Sequence, residues 1–223
     1  VSANTTSGFS IVSYTGNGTA GATVGHGLGS VPSMVIVKKL SASGTDWFCY
    51  HKSLGNTYYI PLNTTAVASA NIVTWNNTTP TSSVFSLGIS GTTNASSASM
   101  IAYCFADVQG YSKFGSYTGN GNVDGTFCYT GFKPAFVIVK KTSATNNWVM
   151  MDNKRDPFNM MTEYLLANDS GAEGTGLNFD FLSNGFKLRS ASSGTNTSGA
   201  TYIYMAFAEA PLVGTNNIPA NAR

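Results

Sequence analysis

Trp75 is the side chain of this sequence that best fits part of a ligand site, because it stands among asparagines and threonines in residues 73–79. An indole offers a flat apolar face for a sugar ring, and neighbouring amides can hydrogen-bond the sugar hydroxyls. We therefore predict a binding site for a neutral glycan at Trp75, Asn76 and Asn77. The same pattern fits a strand tryptophan that faces the core, and the sequence leaves both interpretations open.

A second segment, residues 153–161, combines charge with large apolar side chains. Arginine, methionine and aromatic residues are enriched at protein–protein interfaces. We predict that Lys154, Arg155, Phe158 and Met160 contact a partner protein. The alternative is that Phe158 and the methionines only cover one end of the fold.

Carboxylates form one cluster along the chain, at Asp152, Asp156 and Glu163. Glycoside hydrolysis requires two carboxyl groups held roughly 5 to 9.5 Å apart. The cluster is therefore the candidate active site of an enzyme that cleaves surface glycans, a hypothesis that we rank below a binding function.

The two histidines, His26 and His51, lie in different segments, without neighbours at the spacing of a catalytic triad or a metal site. We predict hydrogen-bonded structural roles for both, and no catalytic residue, metal or cofactor. The cysteines form no CxxC pair, which predicts free buried thiols rather than disulfides or a zinc site. They are Cys49, Cys104 and Cys128.

Charge is low: the chain has 12 Lys and Arg residues against 10 Asp and Glu residues, for a formal net charge of +2. This balance excludes a partner held by bulk electrostatic attraction, so no nucleic-acid binding is predicted. Lysine pairs at 38–39 and 140–141 each end an apolar run, and we interpret them as edge or surface charges that oppose sheet-to-sheet association. No apolar run approaches the roughly 20 residues that cross a bilayer, so no membrane insertion is predicted.

An internal repeat organises the whole chain. The word Ser-Tyr-Thr-Gly-Asn-Gly at 13–18 returns at 116–121, and the run Val-Ile-Val-Lys-Lys at 35–39 returns at 137–141, a shift of about 102 residues. Self-similarity at a fixed period indicates repeated structural units. We predict three parts, which are repeat 1 at residues 8–109, repeat 2 at residues 110–211 and a C-terminal tail at residues 212–223.

Each copy contains short segments rich in β-branched and aromatic residues, bounded by glycine, serine, asparagine and threonine. Such segments are typical of strands, and their regular spacing is typical of sandwiches and jelly rolls. We predict an all-β chain of two tandem antiparallel β-sandwich modules that resemble jelly rolls.

Several words of the second copy resemble a repeated module of tailed-bacteriophage proteins, especially those of marine phages. The resemblance rests on GYSKFGSYTGNG at 110–121, TGFKPAF at 130–136, FLSNGFKL at 181–188 and YIYMAFAEAP at 202–211. Proteins with this module are generally labelled tail fibre or virion structural protein.

The resemblance implies a non-enzymatic structural protein on the surface of the virion. The function it favours is a tail-fibre or receptor-binding component that contacts the host surface, and the alternative is a capsid-decoration or head-fibre protein. The expected partners are other virion proteins, further copies of the chain in a homo-oligomer, with a homotrimer favoured, and a host glycan or receptor.

Overall fold

The computed structural model describes residues 1–209, and within them it contains strands and turns but no α-helix. Every pair of neighbouring strands in residues 1–209 is antiparallel, which confirms the predicted all-β antiparallel class. In this part of the chain, no helix is long and apolar enough to cross a membrane. The strands are β1 (Ser2–Asn4), β2 (Phe9–Thr15), β3 (Ala22–Gly25), β4 (Met34–Lys39), β5 (Phe48–His51), β6 (Tyr58–Pro61), β7 (Ser69–Ala70), β8 (Val84–Leu87), β9 (Ser99–Phe105), β10 (Ser112–Thr118), β11 (Phe127–Tyr129), β12 (Phe136–Lys141), β13 (Trp148–Asp152), β14 (Met161–Leu166), β15 (Gly174–Leu182), β16 (Gly185–Leu188) and β17 (Thr201–Phe207).

The chain forms two compact units. Unit 1 comprises Val1–Thr64 and Ala68–Asp107, and unit 2 comprises Thr65–Val67 and the chain from Val108. Strand β1 precedes residue 8, where the sequence analysis begins the first repeat. The predicted tail at 212–223, and the last two residues of the predicted second repeat, lie outside the described residues.

Unit 1 contains a seven-stranded sheet in the order β1-β2-β9-β4-β5-β6-β7 and a separate two-stranded sheet, β3-β8. Alternation along β9 places Met100, Ala102 and Cys104 in the core, while the residues between them are less buried. This period of two is the expected signature of a strand with one face on the core. The core of the unit also contains Trp75 and Phe85.

Unit 2 contains one eight-stranded sheet in the order β10-β17-β12-β13-β14-β15-β16-β11. The sheet nearly closes on itself like a barrel. At the junction of its two end strands, the Thr126 Oγ1 hydroxyl donates to the Thr118 carbonyl oxygen over 2.8 Å. The core lies inside the curved sheet and is rich in aromatic residues, among them Phe179, Phe186 and Tyr202.

The repeated word of each copy makes the same hydrogen bonds in both units. The Tyr14 hydroxyl donates to the Thr93 carbonyl oxygen over 2.6 Å, and the Tyr117 hydroxyl donates to the Thr195 carbonyl oxygen over 2.6 Å. The residue after each threonine is a buried asparagine, Asn94 or Asn196, whose amide group ties the Gly-Asn-Gly turn to the loop before the last strand.

The lysine pairs do not lie at sheet edges. Strand β12 lies between β13 and β17, and Lys140 and Lys141 are only 0% and 8% exposed, so the prediction of edge or surface charges is wrong for them. The Lys140 Nζ donates to the carbonyl oxygens of Thr65, at 3.0 Å, and of Asn146. It also lies 5.9 Å from the ring centroid of Trp148, a cation–π distance. Carbonyl oxygens and an aromatic face therefore replace water around this ammonium group.

Burial lowers the pKa of Lys140 from 10.5 to about 8. Below pH 8 the lysine is charged in both the folded and the unfolded chain, and the folded chain bears the desolvation cost. As the pH rises from 8 to 10.5, folded Lys140 loses its proton first, so unfolding takes up a proton and the free energy of unfolding rises. We expect the stability of the wild type relative to Lys140→Met to be constant below pH 8 and then to increase by at most about 3 kcal/mol, measured by urea unfolding.

The comparison with Lys140→Met is required because the buried thiols act in the opposite direction. Cys49, Cys104 and Cys128 are free and buried, as predicted, and burial raises the pKa of each. The unfolded chain therefore releases thiol protons first as the pH rises, which lowers stability in both proteins equally. If the difference in the free energy of unfolding between the wild type and Lys140→Met stays constant up to pH 10.5, the Lys140 ammonium group is not buried and desolvated.

Candidate functional site

Trp75 belongs to the core of unit 1. Its side chain is 2% exposed, its Nε1 donates to the Tyr58 carbonyl oxygen over 3.0 Å, and its ring packs edge-on against Tyr50 at 6.1 Å between centroids. An indole in these contacts has no free face on which a sugar could stack. The structure therefore corrects the prediction for Trp75 and supports the core-facing interpretation.

Asn76 and Asn77 follow Trp75 in a surface turn. Both have positive φ, 54° and 46°, a conformation that asparagine adopts more readily than most residues. The turn is held by a hydrogen bond from the Asn77 backbone N–H to the Ile72 carbonyl oxygen, 3.0 Å long. The Asn77 side chain is exposed, so its amide is available to a ligand.

These two asparagines line a surface cleft of about 210 Å³. The walls also contain aliphatic side chains that are unusually exposed, with Ile72 at 61% and Ile89 at 59%. No lining residue is charged, and the complete lining is Ala20, Ile72, Val73, Asn76, Asn77, Gly88 and Ile89. The cleft therefore suits a neutral ligand that has both an apolar face and hydrogen-bonding groups.

Gly88 allows the loop that carries the cleft to lie against the end of β8. A Cβ atom built on Gly88 would lie 1.9 Å from the Val73 carbonyl oxygen, so no other residue fits without moving the backbone. The Gly88 N–H donates to the Thr74 carbonyl oxygen over 3.2 Å. Sequence reasoning did not find Gly88 or Ile89, because they lie more than ten residues after Asn77 along the chain, and it did not single out Ile72, three residues before Trp75.

In unit 2, the predicted partner-contact residues divide into two kinds. Phe158 and Met160 are 78% and 46% exposed. The two cations form ion pairs within the unit, Lys154 with Glu209 and Arg155 with Glu173. The bond from Lys154 holds the pKa of the Glu209 carboxyl below its usual value. The apolar part of the segment is thus available to a partner, and its cations already have ion-pair partners.

Two carboxylates of the acidic cluster, Asp152 and Asp156, are engaged in local structure. Asp152 accepts hydrogen bonds from the backbone N–H groups of Lys154 and Arg155, and it lies 3.3 Å from the Arg155 Nε. Asp156 accepts a 2.7 Å hydrogen bond from the Thr162 N–H. These contacts give both carboxylates a role in shaping the loop. Among residues 1–209, no group of three or more His, Cys, Asp or Glu residues is arranged to hold a metal ion.

A family model described as Domain of unknown function (DUF7483) matches residues 1–211. The chain belongs to the DUF7483 family. No curated protein and no solved structure matches it.

In this DUF7483 chain, both histidines are hydrogen-bonded, as predicted, and both are buried. The His26 Nε2 lies 3.1 Å from the Thr81 carbonyl oxygen, and its Nδ1 accepts from the Leu28 N–H over 3.2 Å. Burial lowers the pKa of His26. The His51 Nδ1 accepts from the Ser53 N–H over 3.2 Å. With both ring nitrogens of His26 engaged in this way, its imidazole is committed to holding the turn after β3.

Proposed function

We propose that this chain is a non-enzymatic structural protein on the surface of a bacteriophage particle, where it serves as a tail-fibre or receptor-binding component that contacts the host cell. The observation that carries the binding role is the neutral cleft of unit 1, in which exposed Ile72 and Ile89 stand beside the amides of Asn76 and Asn77. The assignment to a phage particle rests on the resemblance of the repeated words.

The proposed ligand is one sugar residue of a neutral host-surface glycan. Binding sites combine apolar walls with a few well-placed polar groups, and a cleft of 210 Å³ is smaller than the pockets of about 300 Å³ and above that take drug-sized ligands. Residues 1–109, which contain the cleft, carry only three lysines and two aspartates. A surface with so little charge matches a neutral polar ligand better than an ionic one.

The second candidate function is capsid decoration or a head fibre, and one observation favours it. Phe158 and Met160 expose apolar surface on unit 2, and such residues are enriched where proteins meet. In this role the chain binds other virion proteins through residues 153–161. Under either proposal the chain acts as a homo-oligomer, with a trimer favoured. Sedimentation at several protein concentrations would test this oligomeric state.

Two matched variants separate the candidate functions. We expect Asn77→Ala to weaken binding of the recombinant protein to purified host polysaccharide about tenfold, because one amide of the cleft is lost. Phe158→Ser, on the other unit, should leave polysaccharide binding unchanged. Calorimetric titration of both variants and the wild type measures the affinities. Equal affinity of Asn77→Ala and the wild type would exclude the cleft as the glycan site.

The same variants give the opposite pattern if the chain decorates capsids. Phe158→Ser should then reduce co-sedimentation with particles that lack the protein, and Asn77→Ala should not. Gold-labelled antibody on intact virions supplies an independent result. Label at the tail supports the proposed function, label over the head supports decoration, and particles that contain none of the protein would exclude both.

A further inference from the structure

Two aromatic side chains are exposed next to each other on unit 2. Phe127 and Tyr129 of β11 are 42% and 63% exposed, while Cys128 between them belongs to the core. Successive side chains of a strand point to opposite faces, so both rings lie on the outer face of the sheet, on Cα atoms about 7 Å apart. Adjacent exposed apolar side chains are a mark of interaction sites.

The strand register places charged side chains beside these rings. Phe127 lies opposite Lys187 of β16, and Lys187 lies opposite Asp180 of β15. Tyr129 lies opposite Gly185 of β16. We call the surface formed by Phe127, Tyr129, Gly185 and Lys187 the β11 face.

Both aromatic rings lie against glycines. A Cβ atom built on Gly185 would lie 2.9 Å from Cε2 and Cζ of the Phe127 ring, and a Cβ atom built on Gly131 would lie 3.5 Å from the Tyr129 hydroxyl oxygen. The far ends of both rings are thus close to the backbone, so the rings extend along the sheet instead of standing away from it. The β11 face is therefore a low surface with two aromatic rings open to solvent.

An ion-pair network borders the β11 face. The Lys187 Nζ lies 2.6 Å from the Asp124 Oδ1, and the Arg189 Nε lies 3.2 Å from the Asp180 Oδ2. The bond from Lys187 holds the pKa of the exposed Asp124 carboxyl below its usual value, so this group is an ionised acceptor at neutral pH. Two cations and two anions leave the network without net charge, and each ionised group can also hydrogen-bond a hydroxyl.

Unit 1 shows that the fold does not require these aromatic residues. Strands β8 and β16 correspond in the two repeats, and β3 pairs with β8 as β11 pairs with β16. The buried residue of β3, Val24, stands between Thr23 and Gly25, which are exposed as Phe127 and Tyr129 are. The module therefore folds with threonine and glycine at these positions. Packing does not explain the two exposed rings of unit 2, whereas binding does.

We propose that the β11 face binds a neutral oligosaccharide, whose sugar rings pack on Phe127 and Tyr129 while their hydroxyls hydrogen-bond the Lys187–Asp124 pair. The C–H bonds on one side of a pyranose ring form an apolar surface that suits an aromatic ring, and the hydroxyls both donate and accept. The centre of a protein–protein interface is depleted in charged side chains, whereas these rings lie directly beside ionised groups. The balanced charges give no attraction for an anionic polymer.

Titration of the full chain with cellotetraose, followed by NMR, tests this proposal. All ring hydroxyls of this neutral chain within the linkages are equatorial, so each sugar presents C–H bonds to an aromatic face. We expect the backbone amides of β11 and β16 to shift, and the sugar C–H protons to move upfield in the ring currents of Phe127 and Tyr129. Sorbitol carries hydroxyls but has no ring, so it is the control and should shift none of these signals.

Two substitutions remove one aromatic ring at a time. Phe127→Thr introduces the residue that unit 1 has at this position, and Tyr129→Thr also leaves a residue that favours strands. Each should weaken the binding of cellotetraose about tenfold. Tyr129→Phe keeps the ring and should retain the affinity of the wild type. Asn77→Ala, in the cleft of unit 1, should leave the shifts in β11 and β16 unchanged, so the two sites can fail independently.

Wild-type amides of β11 and β16 that do not shift with cellotetraose would overturn the proposal, and so would unchanged affinity of both threonine variants. Shifts of these amides with protein concentration, without sugar, would mean that a second copy of the chain covers the β11 face, which would also overturn it. Nuclear Overhauser contacts between residues 210–223 and either ring, in the full chain without sugar, would overturn it in the same way.

Discussion

Replacing Asn94 or Asn196 by aspartate is expected to lower the free energy of unfolding of the affected unit by about 4 kcal/mol at neutral pH. The two asparagines are 1% and 0% exposed. The Asn94 Nδ2 donates to the Asn17 Oδ1 and to the carbonyl oxygens of Thr19 and Gly88, at 3.1, 3.1 and 2.8 Å. An aspartate would place a second carboxylate oxygen against these three acceptors, without water to solvate it.

Asn196 makes the matching contacts in unit 2. Its Nδ2 donates to the Asn120 Oδ1 and to the carbonyl oxygens of Asn122 and Ser190, at 3.0, 2.8 and 2.9 Å. Removing the partner of a buried polar group costs about 1 to 3 kcal/mol for each group left unsatisfied. The loss should therefore be of similar size in the two units.

Hydrogen exchange with mass spectrometry tests this prediction, because it measures the free energy of unfolding of each unit separately. The folded state favours the protonated form of the new carboxyl, so the destabilisation should grow as the pH rises above about 4, the ordinary pKa of aspartate. The exposed Asn77→Asp is the control and should change stability by less than about 0.5 kcal/mol. If Asn94→Asp lowers the free energy of unfolding no more than Asn77→Asp does, the hydrogen bonds of the Asn94 amide do not stabilise unit 1 as proposed.

Gly16→Ala and Gly119→Ala are expected to destabilise their units by about 3 kcal/mol or more, because the added methyl group overlaps backbone atoms. The new Cβ would lie 2.2 Å from the Ala95 carbonyl oxygen in the first case and 2.3 Å from the Thr197 carbonyl oxygen in the second. Relief of the overlap would stretch the 2.9 Å hydrogen bonds from Gly16 to Ala98 and from Gly119 to Ala200.

Thermal unfolding of the two variants tests the overlap, with Gly91→Ala as the control. A Cβ at Gly91 meets no atom within 4 Å, so this variant changes the same residue type without a clash. We expect the unfolding midpoint of Gly91→Ala to stay near that of the wild type. If Gly16→Ala and Gly91→Ala unfold at the same temperature, the close approach of the turn to the Ala95 backbone is not what requires glycine.

The sequence analysis identified the residues of these turns because the same ordered words occur in both copies of the repeat. It predicted strands from the alternation of apolar residues, and β9 has that alternation. It also predicted free, buried thiols, since the cysteines stand among apolar residues, and hydrogen-bonded histidines at strand ends. The order in which the strands pair was not predicted, because partners such as β2 and β9 are separated by more than eighty residues.

Trp75 and Lys140 show that the burial of a side chain could not be predicted from its neighbours in the sequence. Trp75 stands among polar neighbours, yet its indole reaches Tyr50 and Tyr58 in the core. Lys140 ends an apolar run, yet it is buried because the carbonyl oxygens of Thr65 and Asn146 and the Trp148 ring surround its ammonium group. Burial depends on which distant segments cover a side chain, and no pattern within a few residues contains that information.

The amino-acid sequence by itself therefore determined the all-β class and the identity of the turn residues, since both depend on local alternation and local backbone preference. Only the tertiary structure decided where binding is possible. The walls of the unit 1 cleft combine Ala20 with residues 72–77 and 88–89, which lie more than fifty residues further along the chain. The physical reason is that strand pairing and side-chain packing act between segments, so surfaces and open edges exist only after the sheets have formed.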